Sequence, residues 1–325
     1  MSTVLTLVET IDGTLARSSG EALTFARDLA ADATLHAATV GPPTETVVVE
    51  LAAAGVEEVH VLHHPLLEAP ATAAAVGAAL AQLVTAIGTT VVVGAASDHG
   101  TPTFAHLAAE LDEPLAANCT TAAVVDDHLE LTRLRWGGML YEDARLEAEV
   151  ALLTVAAHQL EARPASQPGA ALLINHEVAL PEEVALTRVL DHEAVAGGIS
   201  LATAPVVVAG GRGVGSAEGF AVLDELAGLL GGAVGCSRVA TNAGWRSHND
   251  QVGQTGARVA PDLYIACGIS GATQHWVGCM NAKRIMAINT DAEAPMVTRA
   301  NEAVVGDLHE FLPALVEEVR SRRGS

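Results

Sequence analysis

Three glycine-bearing turns hold most of the polar side chains of this sequence that could do chemistry. Gly210-Gly211-Arg212-Gly213-Val214-Gly215 follows the apolar run 206–209 and precedes a helix-like stretch. Glycines let a ligand approach the backbone, and a helix start offers oriented N–H groups, which is the shape of a phosphate cradle. The dinucleotide fingerprint G-x-G-x-x-G fails here, because its third position is Ser216 counted from Gly211 and Glu218 counted from Gly213. No Gly-Lys-Ser/Thr follows, so the loop is not a Walker motif, and a plain tight turn stays open as its other reading. Gln251-Val252-Gly253-Gln254-Thr255-Gly256 is rich in donors and acceptors without charge. It suits a polar heterocycle or a sugar chain, or else a hydrogen-bonded surface loop. Gly268-Ile269-Ser270-Gly271-Ala272-Thr273-Gln274-His275 sets hydroxyls, an amide and an imidazole on another strand-to-helix turn. A nucleophile elbow would need glycine at 272, where Ala272 stands, so hydrolase chemistry is not expected.

The remaining reactive residues are sparser. His60, His63 and His64 form the densest histidine group but lack a matching cysteine or carboxylate spacing, and they read as a packed or solvated set rather than metal ligands. Asp98-His99 reads as a turn. Lys283 is the only lysine, and nothing near it in sequence would depress its pKa for Schiff-base work. Cys119, Cys236, Cys267 and Cys279 form no C-x-x-C pair, which excludes a zinc knuckle and a dithiol motif and suits free thiols in a reducing cytoplasm.

The elements that must position these turns alternate between short β-branched runs and longer Ala/Leu segments of helical period. Strands are expected at 3–8, 59–62 and 91–94, with helices from a Ser18-x-x-Glu21 capping box to about 33, over 71–87 and over 104–110. Residues 118–156 read as an antiparallel edge around Gly137-Gly138, and 159–182, with three prolines, as a crossing or linker. A second α/β unit begins between about 184 and 206, with strands at 206–209, 263–267 and 284–289, helices over 217–230 and from Thr273, and a last helix from Asp307. The fold class is therefore α/β: an N-terminal domain with a mostly parallel sheet, 1–190, and a doubly wound parallel-sheet domain, 191–325. Glycine turns at strand ends are where such sheets hold ligands.

Charge divides the chain at the same place. The net charge is -22, and residues 1–200 carry 7 basic against 27 acidic side chains while 201–325 carry 10 against 12. So acidic a body argues against nucleic-acid binding. The uncharged stretch 69–97 is long enough to span a bilayer, yet its Ala, Gly and Thr content and the break at Ile87-Gly88-Thr89-Thr90 favour a helix followed by a buried strand. The N-terminus MSTVLTLVETIDG lacks a basic region and carries Glu9, so no export signal is expected.

Gly210-Gly211-Arg212-Gly213, Ser237-Arg238, Ala243-Gly244-Trp245, the 251–256 loop, Ala260-Pro261-Asp262-Leu263-Tyr264-Ile265, the 268–275 turn, Ala287-Ile288-Asn289, Glu293-Ala294-Pro295 and Gly306-Asp307-Leu308 resemble, in order and spacing, the electron transfer flavoprotein alpha subunit, or FixB, family. The likeness covers about 200–315, and more loosely the N-terminal part. It implies an FAD held mainly by the C-terminal domain through Arg212, Ser237, Arg238, Gln251, Val252, Gly253, Gln254, Thr255, Gly256, Ser270, Gly271, Ala272, Thr273, Gln274, His275, Asn289, Asp307 and Leu308. Among these, Arg238, Thr255 and His275 would tune the flavin: Arg238 beside the isoalloxazine with Ser237, Thr255 on its redox nitrogen, His275 at the pyrimidine carbonyl. Asn289 and Asp307 would fall at the adenosine end.

The resemblance further implies a cytoplasmic redox carrier rather than an enzyme with its own substrate, working through an anionic semiquinone. It would pair with a beta subunit, take electrons from acyl-CoA or other dehydrogenases of fatty acid β-oxidation, and pass them to a membrane quinone oxidoreductase without inserting in the membrane. A fixed cation about 4 Å away at an effective dielectric near 20 is worth roughly 4 kcal/mol, which at ~59 mV per tenfold bounds the effect of Arg238 near 200 mV. The family often has Asp where Asn242 stands and Met-Lys-Asp-Ser where Cys279-Met280-Asn281-Ala282 stands, differences that bear on local loop shape or potential. The alternatives are an electron-bifurcating alpha subunit, a self-contained flavin or nicotinamide oxidoreductase, and a nucleotide-binding regulatory module. The acidic N-terminal domain is expected to serve subunit contact and solubility.

Overall fold

The computed structural model describes residues 3–30, 33–68, 71–187, 201 and 204–323. The chain forms two compact units, Met1–Glu193 and Ala194–Ser325. The boundary expected at 190/191 lies outside the described residues.

The first unit runs β1 (Thr3–Leu7), a small hairpin β2 (Thr10–Ile11) and β3 (Thr14–Leu15), α1 (Arg17–Ala30), β4 (Thr34–Val40), α2 (Glu45–Ala53), β5 (Glu58–His63), α3 (Ala73–Ile87), β6 (Val91–Ala95), α4 (Gly100–Leu111), β7 (Leu115–Val125), β8 (His128–Arg135), β9 (Leu140–Leu146), β10 (Ala151–Val155) and β11 (Leu172–Glu177). Its main sheet has the order β11-β5-β4-β1-β6-β10-β7-β8-β9. The pairs from β11 through β7 are parallel, and β7-β8-β9 is antiparallel. Val91, Val92 and Val93 are buried in the middle because both faces are covered, which is why a parallel strand reads as an unbroken apolar run. On one face Val4, Val93 and Leu153 meet Leu23, Phe25 and Ala26 of α1. On the other, Leu5, Val92 and Leu152 meet Leu80, Leu83 and Phe104 of α3 and α4.

α3 shows how the sequence dictates this layer. The Thr72 hydroxyl accepts the Ala75 N–H at 3.2 Å and Gly88 ends the helix in the left-handed region, so the helix starts and stops at sequence-encoded caps. Between the caps Gly77 lies so close to α4 that a Cβ there would come within 2.7 Å of the His106 Cβ. No helix among the described residues is long and apolar enough to cross a membrane.

Three sequence expectations are corrected. Ser18 and Glu21 do not form a capping box, because α1 already begins at Arg17. Instead the Ser19 hydroxyl accepts the Glu9 N–H at 2.8 Å, and Glu21 pairs with Arg17 and accepts the His158 N–H. The 159–182 crossing contains a strand, β11, paired from Leu172↔Glu58 to Glu177↔His63. Within 118–156 only β7, β8 and β9 are antiparallel, since β10 lies between β6 and β7 as a parallel interior strand.

The second unit runs β12 (Val206–Gly210), α5 (Ala221–Leu230), β13 (Ala233–Cys236), α6 (Arg238–Asn242), β14 (Leu263–Cys267), α7 (Thr273–Cys279), β15 (Ile285–Asn289), α8 (Pro295–Arg299), β16 (Glu302–Val305) and α9 (Leu308–Arg323). Its five strands are all parallel in the order β13-β12-β14-β15-β16. The chain leaves β12 toward one edge, returns to β14 on its other side and continues to the opposite edge. That reversal opens a crevice beyond the carboxyl ends of β12 and β14, the place where doubly wound sheets receive ligands.

Candidate functional site

A cleft of about 620 Å³ occupies that crevice, and each strand contributes the residues just past its carboxyl end. Arg212 and Gly213 come after β12, Ser237 and Arg238 after β13, and Ser270, Ala272, Gln274 and His275 after β14. Asn289 with Asp291 follows β15, and Asp307 with Leu308 follows β16. Two glycine turns form its floor by packing on each other. The Gly213 N–H donates to the Gly268 carbonyl at 3.0 Å, and a Cβ on Gly268, whose φ is +62°, would come within 2.6 Å of the Gly213 Cα. Close approach of turn to turn is thus one reason for these glycines.

The polar groups of the cleft divide into those committed to the fold and those aimed into it. Asn289 donates through Nδ2 to the Ile269 carbonyl at 3.0 Å and accepts the Asp291 N–H, while Asp307 accepts the His309 N–H and so caps α9. Ser237 Oγ is buried and has no hydrogen-bond partner among the described residues, and His275 Nδ1 is buried with the Val252 backbone beside it but no hydrogen bond of good geometry. Leaving two such atoms unpaired costs about 1–3 kcal/mol each, so a cleft that holds them is built for a polar ligand. His275 Nε2 lies 2.8 Å from the Tyr264 hydroxyl, which is fully buried. Burial lowers the His275 pKa to about 4, against a smaller upward pull from the Val252 backbone, and the imidazole is neutral at physiological pH. Burial likewise drives Tyr264 well above its ordinary value, so the phenol keeps its proton.

The segment from Gln251 to Gly256 flanks the cleft rather than lining it. The Gln254 N–H donates to the Gln274 carbonyl at 2.7 Å and the Val252 N–H to the Cys236 carbonyl at 2.9 Å, which ties the loop to α7 and β13. The Thr241 hydroxyl is placed to donate to Gln251 Oε1 at 2.9 Å, and Gln251 Nε2 donates to Thr255 Oγ1 at 2.9 Å. Accepting from Gln251 leaves the Thr255 proton for a further acceptor, and Gln254 and Thr255 are exposed. Of the residues expected from sequence, Val252, Gly253, Gly256, Gly271 and Thr273 also fall outside the lining. Gly271, with φ +80°, is held against Met296, whose N would lie 2.3 Å from a Cβ.

Sequence reasoning named Tyr264 and Ala294 only within the family motif and did not assign them to the site; it did not name Thr241, Val239, Thr290 or Asp291. Thr241 and Tyr264 orient Gln251 and His275, and Val239, Thr290, Asp291 and Ala294 line the cleft. The position of Thr290 and Asp291 directly after a predicted strand was the available signal for them. The histidines separate: His64 caps the turn 65–67, His63 Nε2 meets Asn175 Oδ1 at 2.8 Å, and His60 is buried among other histidines. Lys283, well exposed, pairs with Asp262 at 2.9 Å.

The sequence matches the Electron transfer flavoprotein domain over residues 4–181 and the Electron transfer flavoprotein FAD-binding domain over residues 200–280. It is similar to electron transfer flavoprotein subunit alpha of Mycobacterium tuberculosis, 39% identical over 327 residues with all of both chains covered. It is similar to the Bacillus subtilis protein of the same description, 33% identical with 98% of this chain and 97% of the other covered. With protein FixB of Bradyrhizobium diazoefficiens it is 39% identical over 75% of this chain and 67% of the other. The second domain match makes FAD the cofactor of the C-terminal unit. The cleft fits such a group, because it offers two cationic side chains, a neutral imidazole and a buried hydroxyl at a switch point between parallel strands.

Proposed function

The chain belongs to the electron transfer flavoprotein alpha-subunit family, and from that premise we propose that, paired with a beta subunit, it carries electrons from dehydrogenases, acyl-CoA dehydrogenases of fatty acid β-oxidation among them, to a membrane quinone oxidoreductase, working in the cytoplasm. The observation that carries the reading is the cleft at the carboxyl ends of the C-terminal strands, lined by Arg212, Arg238, Ser237 and His275. Bound FAD would supply the redox chemistry, taking up and releasing electrons at its flavin ring.

The chain's own residues would bind it and set its potential. Arg238, an exposed cation on the cleft wall, would offset negative charge gained by the flavin, and Arg212, also lining the cleft, would meet the pyrophosphate. Thr255, oriented by Gln251, would donate its remaining proton to the redox nitrogen. His275, neutral and held by Tyr264, would face the pyrimidine carbonyl through Nδ1. Asn289 and Asp307 would take the adenosine end. The N-terminal unit exposes Trp136, Met139, Leu140 and Tyr141 together around one turn, an apolar patch that we assign to subunit contact.

Co-expression with the beta subunit, followed by flavin quantitation and reduction by an acyl-CoA dehydrogenase, tests this function. One FAD per heterodimer, reduced by the dehydrogenase, is the expected result, and a colourless heterodimer would overturn it. Two FAD per heterodimer would instead mark a bifurcating protein.

A further inference from the structure

Three histidines from distant parts of the chain meet on one face of the N-terminal sheet. β4 and β5 are in register with His36 opposite Glu58 and Ala38 opposite His60, so side chains of His36, Glu58 and His60 share a face. β11 lies on the other side of β5 with Ile174 opposite His60, which puts His176 on that face as well. His36 Nδ1 is 3.0 Å from His60 Nε2 and 3.4 Å from Glu58 Oε2, and His60 Nε2 is 3.7 Å from the same carboxylate oxygen. His60 Nδ1 is 2.9 Å from His176 Nε2.

We propose that His36, Glu58 and His60 form a binding site for a divalent transition-metal ion of the zinc class, with His176 as the group that orients His60. Three donor atoms form a closed triangle with sides of 3.0, 3.4 and 3.7 Å. A tetrahedral zinc with bonds of about 2.0–2.1 Å separates its ligands by about 3.3–3.4 Å, which these three sides bracket. Two imidazoles and one carboxylate are a recurrent donor set for that ion, and a three-ligand site leaves its fourth corner for water. Here that corner faces the open end of the cluster, since the Glu58 side chain is 37% exposed while His60 is 3% exposed.

One tautomer of the cluster has more acceptors than protons. With His60 Nδ1–H donating to His176, the His60 Nε2 lone pair faces the Glu58 carboxylate, and a single His36 proton serves both acceptors. A cation satisfies all three atoms at once, with His36 moving its proton to Nε2. The contact from a metal ligand's second ring nitrogen to a further acceptor is the arrangement that fixes ring orientation at zinc sites. Neither the FAD cleft nor any residue assigned to it takes part.

Zn2+ is titrated calorimetrically into the chelator-treated, FAD-loaded heterodimer, and Co2+ replaces it as a visible reporter of geometry. The expected result is one Zn2+ per alpha chain and a tetrahedral cobalt spectrum, both lost in Glu58→Gln and His36→Gln, with roughly 10- to 100-fold weaker binding in His176→Gln and an unchanged flavin spectrum. Glu58 and His36 are only partly buried, and circular dichroism of each variant separates loss of the site from loss of the fold. Absence of stoichiometric binding, an octahedral cobalt spectrum, or wild-type affinity in Glu58→Gln and His36→Gln would each overturn the site.

Discussion

Arg238 and His275 show how differently two residues of one cleft can act on a charged ligand. Arg238 is exposed, so its charge is constant but screened by solvent, and the ceiling of roughly 4 kcal/mol is approached only where bound flavin displaces water. Arg238→Ala is expected to lower the midpoint potential of bound FAD by tens of millivolts without abolishing binding; a spectroelectrochemical titration reads the shift, and an unchanged potential would remove Arg238 from this role. His275 is buried, and its pKa of about 4 is below its ordinary value of 6.5. Below 6.5 the unfolded chain takes up a proton that the folded site refuses, so stability is complete above that pH and falls on the way down to about 4. At the lower limit the loss is about 3 kcal/mol. Urea unfolding of the C-terminal unit across this window should show the slope in the wild type and a flatter profile in His275→Gln. Glu9 and Glu21 of the N-terminal unit, raised by burial, respond in the opposite sense, gaining stability as they protonate.

Turns and strand ends, rather than helices, are the elements on which this site depends. Gly268→Ala would force φ +62° on a residue with a Cβ and drive that carbon against Gly213, separating the two turns at the cleft floor. Destabilisation of at least about 1–3 kcal/mol and weakened FAD retention are expected, read by thermal melting and flavin content after gel filtration. The same turns explain what sequence made legible. Strands 206–210, 263–267 and 91–95 are unbroken apolar runs, and the glycine turns after the first two are visible at once. β4, Thr-Leu-His-Ala-Ala-Thr-Val, and β13, Ala-Val-Gly-Cys, lack that density of β-branched residues and are strands because their neighbours pair with them. β11 was obscured by the prolines before it. Most of the cleft residues could be read from their place after strands, whereas Tyr264 could not, because its role depends on which strand face meets α7. The His36, Glu58 and His60 triangle was hidden by sequence separations that only the sheet register closes: 24 residues from His36 to His60 and 116 from His60 to His176.

At the scale of the whole molecule, charge and exposed apolar surface are shared unevenly between the two units. Nearly all of the net charge belongs to the N-terminal part, and the same part exposes the patch around Trp136. Trp136→Ala is expected to weaken association with the beta subunit by about tenfold or more, as loss of a large buried aromatic at an interface does, while leaving the pKa behaviour of His275 untouched; analytical ultracentrifugation of the mixed subunits measures it, and unaltered association would move the contact elsewhere. β11 has a consequence of another kind. The chain completes β10 near the centre of the nine-stranded sheet and only then travels to the far edge to pair with β5. Until residue 177 has left the ribosome, β5 remains an unprotected edge open to pairing with other chains. Non-local closure of this sort slows folding, so the nascent N-terminal unit keeps one edge of its sheet open until its last strand arrives.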